Sequence, residues 1–447
     1  MEKHRRNKHD TRPLPQAVLS CFCLLFILLS AFYLSPSSVA ARGDALVSTE
    51  TREGRLAVFD DVWETIRDRY YDASFNGLDW EDARERFRPQ AAEAKDGAEF
   101  YAVLRRMVGT LRDAHTRVYA PEEKFDWQHP RVITTGISVR EVEGQPVVVS
   151  LERGSQAERA GLRVGDIITS VDDKPALTLF MKRLENVTGA STVQSARARV
   201  MATLLAGDAA STVKVTWRAS DAVERAGVLR REWRDRTAKL VLEKRGDFFI
   251  VRFDAFTQKV ALDLMRALKS SLRKARGIVI DLRNNGGGDS EAMTDVASAF
   301  LSPRTSLGRF TDRTGRTSVE PQTRTSMLMA AESIVRFDGP LVILASERTA
   351  SAAEIFVASI KEARRALLIG TGTCGCVLAI RRRHLLPDGG ELDVSEMDYR
   401  TSSGVRLEGV GVAPDEIITL SLSDIRAGQD RAIERALERL RLQSSKN

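Results

Sequence analysis

A serine set between alanines is the residue of this sequence whose surroundings best suit covalent chemistry. Ser351 lies in the run Thr-Ala-Ser-Ala-Ala at positions 349–353, just before a helical pattern that begins near Glu354. A hydroxyl at the start of a helix lies in a field that favours developing negative charge, and small neighbours let a substrate backbone approach it. The pattern therefore suits a nucleophile, although a serine that merely caps a helix would look the same.

Three consecutive glycines, Gly286 to Gly288, are a second feature that could take part in catalysis. They follow a continuously apolar stretch that predicts a buried strand over 277–282. Glycines leave backbone N–H groups unshielded, and such groups can stabilise an oxyanion. They could also hold a phosphate, but no Gly-Lys-Ser/Thr follows to complete a P-loop. Acyl-transfer chemistry and an ordinary glycine turn both remain open on these residues alone.

His115 could act as the base for such a serine. It stands just past a helical pattern whose apolar residues run from Phe100 to Leu111, so its side chain can be directed into a cleft. A neutral imidazole that takes the serine proton would make activity fall in acid, with an apparent pKa of about 6 to 7. Taken alone, a histidine in such a place is more often a hydrogen-bonded structural residue.

Three successive patterns indicate the elements that must position these residues. Helical patterns characterise residues 41–130, short β-type runs fill 134–218, and strands alternate with helices over 230–447. In the last part we predict strands over 248–253, 277–282 and 341–345, and helices over 260–272 and 431–442. Such alternation indicates an α/β domain.

The composition excludes several classes of protein. Of the 447 residues, 43% are hydrophobic and 29% charged, as in ordinary globular proteins, which argues against a disordered chain and against a multi-span membrane protein. The 68 basic residues exceed the 61 acidic ones by too little, and are too scattered, to indicate nucleic-acid binding. Most of the chain should therefore fold in water.

The N-terminus carries a targeting pattern. Basic residues between Lys3 and Arg12 precede an apolar segment over 17–34, and small residues end at Ala40. This predicts a secretory signal over 1–40 that is cleaved after Ala40, or a single uncleaved membrane anchor. In both cases the basic end stays in the cytoplasm, so we expect the body of the protein to be extracytoplasmic, either periplasmic or at the cell surface.

The cysteines form two Cys-x-Cys pairs, at positions 21 and 23 and at positions 374 and 376. These spacings indicate no disulfide framework. The second pair would be half of a zinc site at best, with His384 as the only candidate for a third ligand. We therefore expect neither a metal nor another cofactor.

The β-type region is similar to a known peptide-binding domain. Its most specific run is Gly-Ser-Gln-Ala-Glu-Arg-Ala-Gly-Leu at 154–162, followed by Gly165-Asp166. Residues 134–218 thus resemble a PDZ domain of the circularly permuted bacterial kind, with a generic β-sandwich fragment as the alternative. The resemblance implies that an extended peptide adds a strand to the sheet edge, while N–H groups near Gly136 and Ile137 hold its terminal carboxylate.

Runs in the α/β part resemble a family of hydrolases. Positions 277–288 (Gly-Ile-Val-Ile-Asp-Leu-Arg-Asn-Asn-Gly-Gly-Gly), 346–355 (Ser-Glu-Arg-Thr-Ala-Ser-Ala-Ala-Glu-Ile) and 411–415 (Gly-Val-Ala-Pro-Asp) are similar to serine peptidase family S41, the C-terminal processing or tail-specific proteases. The resemblance covers essentially the whole chain after the signal. It implies a crotonase-like (ClpP/crotonase) α/β catalytic core with an inserted PDZ domain and an N-terminal helical segment. It also implies hydrolysis of peptide bonds through an acyl-enzyme on Ser351.

One departure from the family pattern concerns the base. The C-terminal processing branch uses a Ser-Lys dyad whose lysine ends a Thr-x-Gly-Lys motif, and here that motif reads Thr-Cys-Gly-Cys, with Cys376 at the lysine position. A thiol with an ordinary pKa of about 8.5 does not replace a buried lysine base. The chain has therefore lost its activity, or it uses another base.

A second branch of the family supplies such a base. The tricorn-like branch uses Ser-His-Glu, with the histidine before the PDZ domain and the glutamate shortly before the Gly-Val-x-Pro-Asp run. The resemblance thus implies that His115 is the base for Ser351 and that Glu408 orients it. Glu362 remains a second acid that could share the polar site.

The sequence therefore predicts an exported serine endopeptidase that acts on protein substrates and recognises their C-terminal tails through its PDZ domain. For the oxyanion hole we expect the N–H groups of Gly287 and Ala352, with Gly286 and Gly288 as close alternatives. Its partners should be polypeptides and not nucleic acids. The alternative is a catalytically inactive peptide-binding scaffold, because Cys376 stands where the Ser-Lys branch has its lysine.

Overall fold

The computed structural model describes residues 46–123, 130–328, 330 and 332–444. The predicted signal over 1–40 and the second histidine of the body, His129, lie outside these residues. In the part of the chain that is described, no helix combines the length and the apolar character needed to cross a membrane.

Three helices lead up to the loop that holds His115: α1 (Arg52–Arg69), α2 (Trp80–Ala92) and α3 (Gly97–Gly109). Each begins after a polar side chain that accepts hydrogen bonds from N–H groups of the first turn, namely Thr51, Asp79 and Asp96. Short 3₁₀ turns lie at Phe75–Gly77 and Pro121–Glu123. The helices share one apolar core, centred on side chains such as Trp63 and Phe100.

Residues 137–230 form an antiparallel six-stranded sheet with three helices. Its strands pair in the order β3-β4-β5-β7-β8, and β6 pairs with β5. Helix α6 packs along β3, which lies at one edge of the sheet. The strands are β3 (Ile137–Val142), β4 (Gln145–Leu151), β5 (Ile167–Val171), β6 (Lys174–Pro175), β7 (Thr212–Arg218) and β8 (Glu224–Arg230). The helices are α4 (Gln156–Arg159), α5 (Ala176–Glu185) and α6 (Val193–Ala202).

This unit is an insertion into the rest of the chain. Strand β2 (Arg131–Thr134) enters it and strand β9 (Glu232–Asp235) leaves it, and the two pair antiparallel with each other. The insertion therefore begins and ends at one two-stranded ribbon.

The remaining chain is built on a second six-stranded sheet, in the order β10-β11-β12-β15-β16-β19. All neighbours are parallel except β10 and β11. The strands are β10 (Val241–Arg245), β11 (Phe248–Arg252), β12 (Gly277–Asp281), β15 (Leu341–Ala345), β16 (Leu367–Gly370) and β19 (Glu416–Ile417). The helices are α7 (Gln258–Lys269), α8 (Ser290–Ser298), α9 (Ala352–Glu362), α10 (Leu422–Ala427) and α11 (Arg431–Ser444).

Both faces of this parallel sheet are covered, so its central strands are apolar except for Asp281 at the end of β12. Ile278 and Ile280 of β12 pack into the core that also contains α7, α8 and α9, whereas Val279 packs against α11 on the other face. Every residue of β12 and of β15 is buried. The loops after these two neighbouring strands meet at the same edge of the sheet, where α/β proteins hold their ligands.

A third, antiparallel sheet joins the helical part to the core. It consists of β1 (Arg117–Tyr119), β13 (Arg309–Asp312), β14 (Thr317–Val319), β17 (Ala379–Leu385) and β18 (Glu391–Arg400). Strand β18 lies at its centre and pairs with β1, β13 and β17. Because β1 begins directly after the loop of His115, this sheet fixes the position of the histidine loop.

Candidate active site

Ser351 occupies a sharp turn between strand β15 and helix α9. It is the N-cap of α9 and has φ 56° and ψ −127°, a backbone conformation that a residue with a Cβ rarely adopts. Its N–H donates to the carbonyl of Cys376 at 2.8 Å. Residues held in such rare conformations cluster at functional sites, because the surrounding structure must hold them there. The turn exposes the serine side chain at the start of the helix, as a nucleophile requires.

The loop that carries Ser351 is tied to the loop after β12. The Ser346 hydroxyl donates to the Arg283 carbonyl at 2.6 Å, and the Thr349 hydroxyl donates to the Leu282 carbonyl at 2.8 Å. The Ala350 N–H donates to the Asn285 carbonyl at 3.1 Å. The predicted nucleophile and the predicted glycine loop are thus one hydrogen-bonded unit, which sequence spacing alone does not reveal.

The glycines after β12 lie against Ser351. Gly287 has φ 102°, and a Cβ there would come within 2.7 Å of the Ser351 Cβ, so this position admits no side chain. In this structure the Gly287 N–H donates to Asn285 Oδ1 at 2.9 Å. Gly286 lines the same cavity as Ser351. The N–H of Ala352 is the first of helix α9, one of those that a helix leaves without an intrahelical partner.

Glu354 anchors the loop that faces Ser351, a role the sequence analysis did not foresee. Its carboxylate is fully buried and accepts hydrogen bonds from the Thr373 hydroxyl at 2.6 Å, from the Gly375 N–H at 2.7 Å and from the Cys376 N–H at 2.8 Å. Burial raises the pKa of Glu354 to about 7, and these hydrogen bonds oppose the rise. Glu354 therefore holds the 373–376 loop beside the serine.

Cys374 and Cys376 form a disulfide in that loop. Both are buried, and both line the cavity that contains Ser351. The sulfur at the position where the Ser-Lys branch has its lysine is therefore not an ionisable thiol in this structure. Glu354 lies near both sulfurs, but its oxygens already accept the hydrogen bonds described above. His384, the sequence candidate for a third metal ligand, instead lies 3.2 Å from Glu396 on β18.

Ser351 and His115 line one cavity of about 230 Å³, here called the Ser351 cavity. Its wall also includes Ala198 of helix α6, so the inserted unit contributes to it. Both residues belong to the described part of the chain, and no hydrogen bond joins the Ser351 hydroxyl to the imidazole. The structure thus brings the predicted nucleophile and base to one site without a hydrogen bond between their side chains.

Asp113 shapes the environment of His115 and was missed from sequence. Asp113 Oδ1 accepts the N–H groups of His115 at 2.7 Å and Thr116 at 2.6 Å, and the Ser395 hydroxyl at 3.0 Å. Asp113 Oδ2 and His115 Nδ1 are both buried and lack a hydrogen-bond partner among the described residues. The signal for Asp113 was its place two residues before the histidine in the same loop.

The imidazole of His115 is neutral over the physiological range. Burial lowers its pKa to about 4, because the charged form would be desolvated, and Arg117 adds to the effect. The negative charge of Asp113 opposes the shift, and Asp393 does so more weakly. A neutral imidazole is the protonation state that a general base needs.

Glu408 reaches the histidine loop only indirectly. Its Oε2 accepts the N–H groups of Val377 at 2.7 Å and Leu378 at 3.2 Å. The Ser191 hydroxyl, which also hydrogen-bonds to Glu408, accepts the Ala114 N–H at 3.1 Å. Burial raises the pKa of Glu408 to about 7. Within the described residues, no hydrogen bond joins Glu408 to His115 itself.

Glu362, the second acid considered from sequence, lies outside the site. It is the last residue of helix α9, whose first residue follows Ser351, so roughly 15 Å of helix separates the two. Its carboxylate is bound by the hydroxyl groups of Ser402 and Ser403, which lowers its pKa. The length of the helix between them thus prevents Glu362 from sharing a polar site with Ser351.

Gly136 and Ile137 stand at the start of the edge strand β3. Gly136 has φ 83°, and its N–H donates to the Thr134 hydroxyl at 3.1 Å. Residues 140–142 of β3 and one face of α6 line a cavity of about 590 Å³, here called the β3 cavity, whose lining does not include Gly136 or Ile137. Glu347 and Arg348, from the loop of Ser351, line both this cavity and the Ser351 cavity. Glu347 also forms an ion pair with Arg140 of β3.

Comparison with known proteins gives three family matches that follow the three structural parts. Residues 247–418 match Peptidase family S41, residues 52–109 match the Tricorn protease C1 domain, and residues 147–185 match a PDZ domain. The matches therefore fall in the parallel-sheet core, the N-terminal helices and the inserted unit.

Curated relatives match along most of the chain. Carboxyl-terminal-processing peptidase 3, chloroplastic, of Arabidopsis thaliana is 27% identical over 416 residues, which cover 89% of this chain and 76% of the relative. The carboxyl-terminal-processing protease of Synechocystis is 26% identical over 397 residues, 85% of each chain.

Solved structures agree with these matches. The photosystem II D1 C-terminal processing protease has a TM-score of 0.54 at 25% identity, over 82% of this chain and 93% of that one. Mature CPAF complexed with lactacystin has a TM-score of 0.66 at 14% identity, over 89% of this chain and 99% of that one, a likeness of fold. Together the comparisons confirm the predicted α/β fold, with a crotonase-like core, an inserted PDZ domain and an N-terminal helical segment.

Proposed function

Because the chain belongs to peptidase family S41, and is thus a serine peptidase related to C-terminal processing proteases, we propose that Ser351 is its nucleophile and His115 its base. The observation that carries this assignment is that both side chains line one cavity, with the serine on a strained turn at a helix start. The lowered pKa of His115 supports it further, since the imidazole is neutral and can accept a proton.

In the proposed reaction, Ser351 Oγ attacks the carbonyl carbon of the scissile peptide bond while His115 takes the serine proton. The N–H of Ala352 stabilises the oxyanion that forms. A second donor would be the N–H of Gly287, once it is released from Asn285 Oδ1, or that of Gly286, once it is released from the Asp254 carbonyl. Collapse breaks the C–N bond, and the imidazolium gives its proton to the leaving amine. Water then hydrolyses the acyl-enzyme with His115 again as base, which regenerates the serine.

The roles of the acidic groups follow from their hydrogen bonds to the loops around the imidazole. Asp113 acts on His115 by its charge and holds the backbone of its loop, so we assign it the orienting role. Glu408 is assigned the support of the loop after Cys376 and, through Ser191, of the histidine loop.

Labelling tests the nucleophile. A fluorophosphonate probe should label the wild-type chain and should not label Ser351→Ala. The wild type should also cut a protein substrate that Ser351→Ala leaves intact. The matched control is Ser270→Ala, which removes an exposed hydroxyl that donates to the Arg266 carbonyl at the end of helix α7 and should leave labelling unchanged. Absence of labelling in the folded wild type would favour the inactive scaffold instead.

We further propose that the inserted domain captures the C-terminal tails of exported substrates. Strand β3 is an edge strand with an open side, and its residues 140–142 line the β3 cavity, which reaches the loop of Ser351. A free carboxylate can accept hydrogen bonds from backbone donors near Gly136 and Ile137, whereas an amide offers a donor without a partner. The targeting pattern over 1–40 supports action beyond the cytoplasmic membrane.

A pair of peptides tests tail capture. A substrate with a free apolar C-terminus should be cut with a higher kcat/KM than its C-terminal amide, by about fivefold to a hundredfold, for a carboxylate contact of about 1 to 3 kcal/mol. The preference should disappear in Ile137→Asp and persist in Val228→Asp, which places the same charge on the exposed opposite edge strand β8. Equal cleavage of both peptides by the wild type would refute tail capture and leave the peptidase assignment standing.

A further inference from the structure

Three arginine side chains line the Ser351 cavity, each from a different element. Arg117 begins strand β1, Arg199 lies in helix α6 of the inserted domain, and Arg348 lies three residues before Ser351 on its own loop. Three elements of the wall therefore contribute positive charge around the predicted nucleophile and base, and the acid in the lining, Glu347, forms an ion pair with Arg140.

Within the described residues, none of these three guanidinium groups has an acidic partner at ion-pair distance. Arg117 donates to the Ala114 carbonyl at 2.8 Å, and Arg199 donates to the carbonyls of Thr188 at 3.0 Å and Gly189 at 2.6 Å. The guanidinium of Arg348, which is half-buried, has neither an acidic partner nor a hydrogen bond among the described residues. The nearest acid in sequence, Glu347, is occupied by the ion pair with Arg140 and by the Thr371 hydroxyl at 3.2 Å.

Several partly buried arginines elsewhere in the described chain do have acidic partners. Arg283 lies 2.8 Å from Asp430, Arg324 lies 2.7 Å from Asp295, and Arg383 lies 2.7 Å from Asp393. Asp393 is the residue opposite Arg117 across strands β1 and β18, and Arg383 already occupies it. Other arginines without an acidic partner, such as Arg231 and Arg365, donate to backbone carbonyls instead. The half-buried guanidinium of Arg348 differs from these, because it has no hydrogen-bond partner among the described residues.

Unpaired cations around a concave site give it a positive potential that attracts and retains anions. Burial and the charge of Arg140 lower the pKa of Arg348, which reflects the cost of an unpaired charge at that place. The guanidinium fork matches a carboxylate through two parallel hydrogen bonds. In a polypeptide, carboxylates occur as Asp and Glu side chains and as the free C-terminus.

We propose that the Ser351 cavity selects polypeptides with a carboxylate close to the scissile bond, and that Arg348 is the residue that binds it. This inference rests on the proposed peptidase function. Arg348 is suited to the role because it lines both cavities, and so lies between the β3 cavity and the serine. Arg117 and Arg199 extend the positive potential along the opposite walls.

Matched peptides with blocked ends test this selectivity. The two peptides of a pair differ at one position near the cleavage site, where one carries Glu and the other Gln, and separate pairs test positions on each side of the scissile bond. One further pair carries Gln at all of these positions and differs only in its C-terminus, which is free in one peptide and amidated in the other. For the wild type, at least one Glu peptide should exceed its Gln partner in kcat/KM by about tenfold, and the ratio should shrink as salt is raised to about 0.5 M.

Substitutions assign the effect to Arg348. Arg348→Gln should bring the ratio close to one, and Arg348→Glu should favour the Gln peptide. Arg381→Gln, which removes an exposed arginine of β17 that donates to Ser318, should leave the ratio unchanged. Fluorophosphonate labelling and the melting temperature show that each variant keeps a folded, functional serine site.

The outcomes separate this inference from the proposed function. If Arg348 raises kcat/KM only for the peptide with a free C-terminus, the carboxylate that it binds is the chain terminus. Carboxylate selection by Arg348 then stands. Equal cleavage of all Glu and Gln peptides and of both C-terminal forms, or a ratio that survives in Arg348→Gln, overturns the inference while hydrolysis itself remains. No cleavage of any peptide and no labelling would instead refute the peptidase function.

Discussion

The acid limb of the pH profile is the sharpest test of His115 as the base. A neutral imidazole accepts the serine proton, so the rate should follow the neutral fraction and fall as pH drops through the pKa. Burial lowers that pKa to about 4, from the ordinary value of about 6.5. The sequence-based expectation of about 6 to 7 is therefore replaced by a lower value.

The difference is large enough to measure at about pH 5.5. There an imidazole with a pKa of about 4 is roughly 97% neutral, whereas an unperturbed one is roughly 9% neutral. We expect the second-order rate of Ser351 labelling by a fluorophosphonate at this pH to stay near its value at about pH 8. An unperturbed histidine would reduce the rate about tenfold.

Two substitutions should move the acid limb in opposite directions. Asp113→Asn removes the negative charge that favours the imidazolium, so the apparent pKa should fall further, while the amide oxygen still accepts the loop N–H groups. Arg117→Gln removes a positive charge that disfavours the imidazolium, so the apparent pKa should rise. A step near pH 7 that disappears in Glu408→Gln would belong to that carboxyl, whose pKa is about 7.

An acid limb at an apparent pKa of about 6.5 that neither substitution moves would refute this reasoning. It would mean that the group controlling the rate is a solvent-exposed imidazole, or a group other than His115. A limb that follows both substitutions in the expected directions would identify His115 without removing it.

Three further changes have expected results. His115→Ala should lower kcat on the order of 10³-fold with little change in melting temperature, and a rate equal to wild type in steady-state cleavage would remove it from the mechanism. Replacing Cys374 and Cys376 together by Ser should keep most of the cleavage rate, since Glu354 holds the loop without the sulfurs; Cys21→Ser with Cys23→Ser is the matched control. Glu354→Gln turns an amide N–H₂ toward backbone donors, so kcat/KM should fall by about tenfold to a hundredfold. Glu362→Gln, at the far end of the same helix, should leave kcat/KM unchanged, and an equal loss there would contradict a local effect.

The parts of the fold that sequence predicts are those whose pattern is fixed by burial alone. Strand β15 has the predicted bounds, 341–345, because five consecutive apolar residues covered on both faces leave no other interpretation. Helix α7 begins at Gln258, two residues before its predicted start at 260, because Thr257 caps it. Local periodicity was sufficient in both cases.

Strand β18 was not predicted, because its pattern depends on distant residues. Its polar side chains are buried by partners far away in sequence, such as Ser395, which donates to Asp113. Buried polar residues break the apolar pattern that sequence reasoning relies on. Strand β17 has a similar difficulty, because its three consecutive arginines, 381–383, interrupt any apolar alternation.

The same distinction applies to the site. Ser351 and His115 stand in motifs with a local signature, and they line one cavity. Glu354 and Asp113 act through hydrogen bonds to loops whose approach is set by the tertiary fold, so their roles were not visible in the sequence. The catalytic roles themselves remain predictions until the labelling and pH experiments are done.

The inserted domain and the core together form the wall of the Ser351 cavity, and this matters for protein engineering. The Thr192 hydroxyl at the start of α6 donates to the Cys374 carbonyl at 2.8 Å, and Ala198 and Arg199 face the serine. A chimera that exchanges the whole insertion to retarget the enzyme would therefore also rebuild one side of the cleavage chamber. A graft that replaces β3 and β4 but leaves residues 188–202 native should transfer the recognition edge while keeping that chamber intact.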